Sequence, residues 1–333
     1  MLTLSVLDQS VAVTGCTEDT SIRETLALAQ HCEALGYHRF WVSEHHSHPS
    51  IKGSAPEILM AAVAATTSRI RVGSAGVMLP HYAALKVAEQ FRVLEALAPG
   101  RIDLGVGRGG GADMRTAQLL NADPRQSAEN FPMQVLELKA WVSGVDLPED
   151  HPGRGVSANP QGPTTPELWM LGSSNYGAQL AAHYGLPYAF AHFITYGAGT
   201  QEALDLYRRL YQPSPRHPRP QALLCVWALA ADTEAEAWHQ FSGRERWEID
   251  RSKGVLGPLL SPAEVAQRPY TATEQQEAHQ LRRTALVGSG AQVADKLRAL
   301  ADTHDVDELV VITWTHDSAV RRRSYELLAR ELL

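Results

Sequence analysis

Eight strand-like runs alternate with helical segments along this chain, and that order leaves few folds open. The runs lie at 2–7, 40–42, 70–78, 101–106, 168–171, 188–193, 222–230 and 308–314. Strands that alternate with helices pair in parallel. A count of eight predicts closure into a (β/α)8 TIM barrel over an open doubly wound sheet. The 333 residues are then read as a single barrel domain, 1–333. Two stretches interrupt the alternation. Residues 143–166 are rich in Pro and Gly, and 243–284 are irregular and charged. Both are expected as excursions whose role the sequence leaves open, and both could cover the site.

Local signals agree with the alternation. Ser21 and Glu24 have capping-box spacing at the head of the first helical pattern, and Gly36 is a suitable stop. Pro56 sits where a helix begins, at a position whose missing N–H costs little. Pro99-Gly100 ends the helical stretch before the fourth strand.

Composition narrows the function classes. The net charge is −7, with Lys and Arg scattered, and 20% of residues are charged. The one basic run, Arg321-Arg322-Arg323, falls on the closing helical segment and reads as a solvated face, so nucleic acid is not expected as a partner. Cys16, Cys32 and Cys225 are widely spaced with no CxxC, the usage of free thiols in a reducing compartment. No apolar run approaches the roughly 20 residues of a membrane span. The N-terminus lacks the basic, apolar pattern of a signal peptide. A soluble, cytoplasmic protein without membrane contact is expected.

In a barrel the C-terminal tips of all strands share one rim. Here they carry Asp8, Glu44, His45, His46, Ala75, Gly76, Gly107, Arg108, Ser173, Ser174, Ala191, His192 and Trp314. The polar and Gly-rich positions collect at those tips. The densest is Glu44-His45-His46-Ser47-His48, which follows the buried-type run Phe40-Trp41-Val42 and is stopped by Pro49. Imidazoles at a strand tip suit acid/base work or hydrogen bonding; a His-rich surface turn is the bland reading.

Gly105-Val106-Gly107-Arg108-Gly109-Gly110-Gly111 formally contains GxGxxG. A dinucleotide fingerprint needs an early βαβ unit and an acidic residue closing the next strand, whereas here the next strand ends in Gly172-Ser173-Ser174. Bare backbone N–H groups with the fixed charge of Arg108 suit a phosphate instead. Ser173-Ser174 opens the following helix, either as a plain cap or as further donors to the same anion. A metal is not expected. Adjacent side chains of an extended strand point apart, and there is no HExxH or paired Cys. No Gly-x-Ser-x-Gly nucleophile elbow occurs.

With these residues assembled, the chain resembles the bacterial luciferase-like flavin monooxygenases. The resemblance rests on Trp41-Val42-Ser43-Glu44-His45-His46, Val72-Gly73-Ser74-Ala75-Gly76-Val77-Met78-Leu79-Pro80, Pro99 through Arg108, Pro166 through Ser174, and the late Val287-Gly288-Ser289. It is similar to the single-chain branch that includes oxygenases of antibiotic pathways. The resemblance implies a luciferase-like barrel that binds reduced FMN, supplied by a separate NAD(P)H:flavin reductase. O2 and a small organic substrate then meet at a flavin peroxide. It puts the essential strand-tip histidine at His45, with Glu44 and His46 in support. It puts a cis peptide at Ala75–Gly76, with Ser74 preceding it, and phosphate binding at Arg108, Ser173, Ser174 and Gly177. The reactive cysteine of some luciferases falls on Gly107, so neither thiol chemistry nor light emission carries over. A homodimer through the outer helices is implied as well. A deazaflavin-dependent, hydride-transferring oxidoreductase and a non-catalytic flavin-binding protein remain the alternatives.

Overall fold

The computed structural model describes residues 2–109 and 111–333; Gly110 of the glycine loop lies outside the described residues. Strands β1 (Thr3–Asp8), β2 (Arg39–Val42), β3 (Arg71–Met78), β4 (Ile102–Gly107), β5 (Glu167–Gly172), β6 (Tyr188–Phe190) and β7 (Ala222–Ala231) pair in parallel in chain order. A short strand, β8 (Leu286–Ser289), follows the second excursion. The last, β9 (Glu308–Ile312), pairs with both β7 and β1 and closes the ring. The expected (β/α)8 barrel is present. β8 stands outside the ring, paired only with Ala228–Ala231, where β7 runs past its barrel partners.

Helices wrap the ring and bury their apolar stripes against it. The first, Glu18–Leu35, turns Leu28, Ala29 and Cys32 inward and ends on Gly36, whose φ of 92° is the left-handed geometry a glycine adopts freely. It begins a turn earlier than the spacing of Ser21 and Glu24 suggests. Ser21 bonds back to Glu18 O inside the helix, while Glu18 and Asp19 stabilise its positive end. β6 is also shorter than expected. It stops at Phe190, and His192–Thr195 turn into a short helix.

The barrel interior has a polar floor below an aromatic layer. At the N-terminal strand ends, the Arg39 guanidinium lies between two carboxylates, 2.9 Å from Asp103 and 2.8 Å from Glu308. Arg71 and the Trp41 indole N–H also donate to Asp103, and Ser5 donates to Glu308. Above them Trp41 and Trp169 pack edge to face at 5.5 Å. The cavity's inner lining includes Leu7, Met170, Ala189 and Cys225.

Both excursions differ from expectation. Residues 143–166 are irregular, as anticipated, but they do not reach the rim. The buried Arg92 guanidinium ties them to the outer wall through Pro160, Val142 and Thr164 carbonyls, and none of them lines the cavity. Residues 243–284 are mostly helical: the tail of Glu234–Ser252, then Pro262–Ala266 and Ala272–Thr284. These helices are polar on most sides and are supported by i,i+4 pairs such as Arg246–Asp250 and by capping boxes at Ser261 and Thr271. That leaves no apolar periodicity to read. The segment is latched over the rim by Thr14 N–H to Leu259 O, Leu259 N–H to Ala12 O, and the Trp247 indole to Ser50 Oγ.

Arg321 departs from the solvated-face reading. It is buried and 3.0 Å from Asp8, which also accepts from Thr25, so the Asp8 tip anchors the closing helix. Among the described residues no helix is long and apolar enough to cross a membrane. Cys16 is exposed, Cys32 and Cys225 are buried, and all three are free.

Candidate active site

The tip of β2 divides the expected catalytic trio. The backbone is fixed by His45 N–H to Gly53 O and His46 N–H to Gly111 O, at 2.8 and 2.7 Å. The Glu44 side chain is wholly buried against the neighbouring strand end. It accepts from Met78 N–H at 3.0 Å and from the Tyr82 hydroxyl at 2.8 Å, and lies 2.7 Å from His46 Nε2. Glu44 and His46 therefore form a strut between the β2 and β3 tips, and neither lines the cavity. His45 alone of the three does. Burial, followed by the neighbouring His48 and His46, lowers its pKa to about 4, so its imidazole is neutral at pH 7. Its Nδ1 is 3.2 Å from Ser43 Oγ.

A second imidazole, not singled out from sequence, stands beside it. His48 packs edge to face with His45 at 5.6 Å and also lines the cavity. Its Nδ1 accepts the N–H groups of Ser50 and Ile51, so the neutral ring carries its proton on Nε2. Burial, then Lys52, lowers its pKa. The His-Ser-His-Pro turn held the signal, because such a turn needs a side chain to collect its backbone donors.

The Ala75–Gly76 peptide is cis and faces the cavity. A Cβ on Gly76 would fall 2.3 Å from Leu171 Cδ1 and 2.9 Å from Gly105 O, so only glycine fits. Ser74 lies beneath and off the cavity. The ladder between β3 and β4 shifts after Ser74, and its hydroxyl there accepts from Gly105 N–H and donates to Gly105 O. Its role is to satisfy backbone groups that the shift leaves free.

Arg108 follows β4 and rests its guanidinium 4.0 Å over the ring of Tyr176, in the first turn of the helix Asn175–Tyr184. Among the described residues it makes no ion pair. Ser174 precedes that helix in an extended conformation, and its side chain makes no capping bond. The helix start is left with unspent N–H donors and a partial positive charge beside a cation. Gly105 packs inside β4 against Ser74 O and opens no dinucleotide-binding turn.

These parts meet in a cavity of about 480 Å³ at the rim. His45, Ala75, Gly76, Gly107, Arg108, Ser173, Ser174 and Gly177 line it; Glu44, His46 and Ser74 support it from behind. Its roof comes from the charged excursion, with Arg244, Trp247, Glu248 and Arg251 facing Trp314 after β9. Sequence reasoning missed these four because their segment was read as irregular. No group of three or more metal-ligating side chains occurs among the described residues.

The chain is similar to known proteins along its whole length. YwcH of Bacillus subtilis, an uncharacterised protein, is 42% identical over 330 residues, 98% of each chain. The N-acetyl-S-alkylcysteine monooxygenase of the same organism is 35% identical over 334 residues, spanning 100% of this chain and 99% of its own. Apo-MsnO8 superposes with a TM-score of 0.90 at 37% identity, over 99% of this chain and 98% of that one. Two more distant structures share the fold alone. The FMN complex of the 3,6-diketocamphane monooxygenase from Pseudomonas putida has a TM-score of 0.72 at 18% identity over 100% and 98% of the chains. An F420-dependent secondary alcohol dehydrogenase has a TM-score of 0.72 at 13% identity over 100% and 99%. The profile of the luciferase-like monooxygenases matches residues 2–305, and this chain belongs to that family.

Proposed function

We propose that the chain is the oxygenase component of a two-component flavin system. It takes reduced FMN from a separate NAD(P)H:flavin reductase, takes O2, and transfers oxygen to a small organic substrate. One observation carries this reading: a single cavity joins an unpaired arginine and an uncapped helix start to a flat cis peptide and a neutral imidazole. FMN fits that set. Its phosphate suits Arg108, Ser173 and Ser174, with Gly177 beside them in the first turn of the helix. Its planar ring suits the strip made by Ala75, Gly76 and Gly107.

Reduced FMN, when bound, supplies the electrons that activate O2. The chain's own residues do the rest. His45, uncharged at neutral pH, offers one N–H and one lone pair to the reacting oxygen or substrate. Glu44 and His46 are positioning residues that fix the β2 tip against β3. Trp247 and Trp314 close the roof and exclude water. A thioether sulfur is the first reacting atom to try, because the relative at 35% identity is named for N-acetyl-S-alkylcysteines. Ile58, Val93 and Leu97 stay exposed on the adjacent helices Pro56–Thr66 and Ala84–Leu97, which supports a homodimer through that face. The whole chain serves as one domain, and its free thiols suit the cytoplasm.

The test is anaerobic titration with photoreduced FMN, then admission of isotopically labelled O2 with the substrate. Tighter binding of reduced than oxidised FMN, and product carrying the label, is the expected result. Failure to bind reduced FMN refutes the proposal and directs the same titration to the deazaflavin. Binding without any oxygen transfer across a broad substrate panel leaves a flavin-binding protein.

A further inference from the structure

The roof contains a cation that the flavin reading does not use. Arg244, on the helix Glu234–Ser252, is 7% exposed, and its guanidinium lies 4.2 Å over the Trp314 ring and 4.6 Å over that of Trp247. One edge pairs with Glu248, whose other oxygen is 2.7 Å from Arg251. Arg251 also donates to the Tyr196 hydroxyl at 2.9 Å. Two guanidinium groups share one carboxylate, so the set carries one positive charge in excess.

Two buried donors here lack acceptors. Arg244 Nη1 and Trp227 Nε1 have no hydrogen-bond partner among the described residues. Both residues border a side chamber of about 60 Å³, which shares Phe193, Arg244 and Glu248 with the main cavity. At roughly 30 Å³ per water, the chamber has room for a couple of waters or one carboxylate group. Its other walls are largely apolar, including Phe241 and Leu286. A buried guanidinium donor next to an indole donor, with positive charge in excess, calls for an anionic oxygen.

Strand order places this chamber relative to the flavin end. Arg108 follows β4, whereas the chamber's walls come from the side of β6 and β7: Phe193 and Tyr196 follow β6, and Trp227 lies on β7. Those strands are two and three steps from β4 in the eight-membered ring. The chamber joins the main cavity at Phe193, Arg244 and Glu248, so a molecule anchored at Arg244 enters the space that His45, Ala75 and Gly76 line, while Arg108 stays outside the chamber.

We propose that the Arg244/Trp227 chamber is the carboxylate subsite for the substrate, and that this protein acts on small organic acids whose apolar end reaches the main cavity. This inference rests on the oxygenase reading for the word substrate, but its test needs no turnover. FMN-loaded protein is titrated calorimetrically with acetate, benzoate, 4-phenylbutanoate and 3-(methylthio)propanoate, each beside its neutral primary amide. At least one acid should bind on the order of tenfold or more tighter than its amide, the range for a hydrogen bond to a charged group. Arg244→Gln leaves Glu248 paired with Arg251, and FMN affinity and thermal melting serve as its fold controls. It should lose the acid preference to within about twofold. Arg244→Lys should keep a reduced preference, because it retains the charge without the planar fork. Trp227→Phe should weaken acid binding severalfold and leave amide binding unchanged.

Equal binding of acid and amide across all four pairs, binding of none, or an acid preference that survives in folded Arg244→Gln protein, where Glu248 and Arg251 still neutralise each other, overturns the subsite. Acid preference with no oxygen transfer would discard the oxygenase reading and keep the subsite. Oxygenation of neutral compounds with no acid preference would do the reverse.

Discussion

Replacing Glu44 separates a strut from a catalyst. The carboxylate is fully buried and receives Met78 N–H, the Tyr82 hydroxyl and His46 Nε2. Glu44→Leu removes all three acceptor contacts. Tyr82, His46 and Met78 are each partly buried, and the Met78 N–H, fixed in the backbone, cannot turn to another acceptor as the two side chains can. A hydrogen bond to a charged group contributes about 1.5–3 kcal/mol, and a buried orphaned donor costs about 1–3 kcal/mol, so Glu44→Leu should destabilise by roughly 3–5 kcal/mol. Glu44→Gln should cost only about 1–2 kcal/mol. Its carbonyl keeps Met78, its NH2 turns to the Tyr82 oxygen, and His46 changes tautomer. Urea denaturation followed by far-UV circular dichroism and tryptophan fluorescence measures both. His45 owes its low pKa to burial and to its histidine neighbours, so Glu44→Gln should leave the His45 titration in place. A Glu44→Leu protein within about 1 kcal/mol of wild type would refute the strut. So would a Glu44→Gln protein of unchanged stability that has lost all turnover.

Other perturbations read the remaining parts. His45 and His192 each have a folded pKa of about 4, below the ordinary histidine value of 6.5, so the unfolded chain binds more protons in that interval. Their contribution to stability is complete above pH 6.5 and is lost as pH falls toward 4; a melting temperature flat across that window contradicts both assignments. NMR titration should find the His45 ring neutral throughout pH 6–8, and a midpoint near 6.5 would remove the burial argument. Arg108→Ala should weaken FMN binding about 10- to 100-fold, with Arg108→Lys recovering part, and unchanged affinity moves the phosphate elsewhere. Gly76→Ala puts a methyl 2.9 Å from Gly105 O, a backbone atom that cannot rotate away, and should cost about 1–3 kcal/mol; wild-type stability in denaturant would show that the strip can yield.

The ring was legible because each of its strands is buried on both faces and reads as an apolar run. Phe40-Trp41-Val42 and Val310-Val311-Ile312 have no exposed residue. β8 was missed as a strand because Leu286–Ser289 lies outside the ring, pairs on one side only and has two buried residues. Arg321 misled for the opposite reason: a basic triplet on a helix ordinarily faces water, and only the fold brings Asp8 to it from the far end of the chain. At the site, the tips of β3, β4 and β5 supplied legible residues because strand ends converge on one rim. Which side of the backbone a tip residue faces was not legible. Adjacent residues Glu44 and His45 point into different environments, and the turn past β2 sets that choice.

The same contrast explains how one fold accommodates different substrates. Everything proposed to hold FMN comes from the ends of β3, β4 and β5, whose positions the closed ring dictates. Arg244, Trp247, Glu248 and Arg251 come from the later turns of a helix between β7 and β8, whose first turns pack Ala237 and Phe241 against Leu229 and Val287 and whose Trp247 bonds to Ser50. Changes in those later turns alter the roof without moving a barrel strand, so substrate choice can diverge while the cofactor end stays fixed. The distribution of polar groups fits this division. The floor is a closed network in which Arg39, Asp103 and Glu308 satisfy one another, whereas the roof keeps buried donors unspent. Arg244 Nη1 and Trp227 Nε1 differ from other unpaired donors such as Arg321 Nε in that both residues border the side chamber, where an entering group can satisfy them.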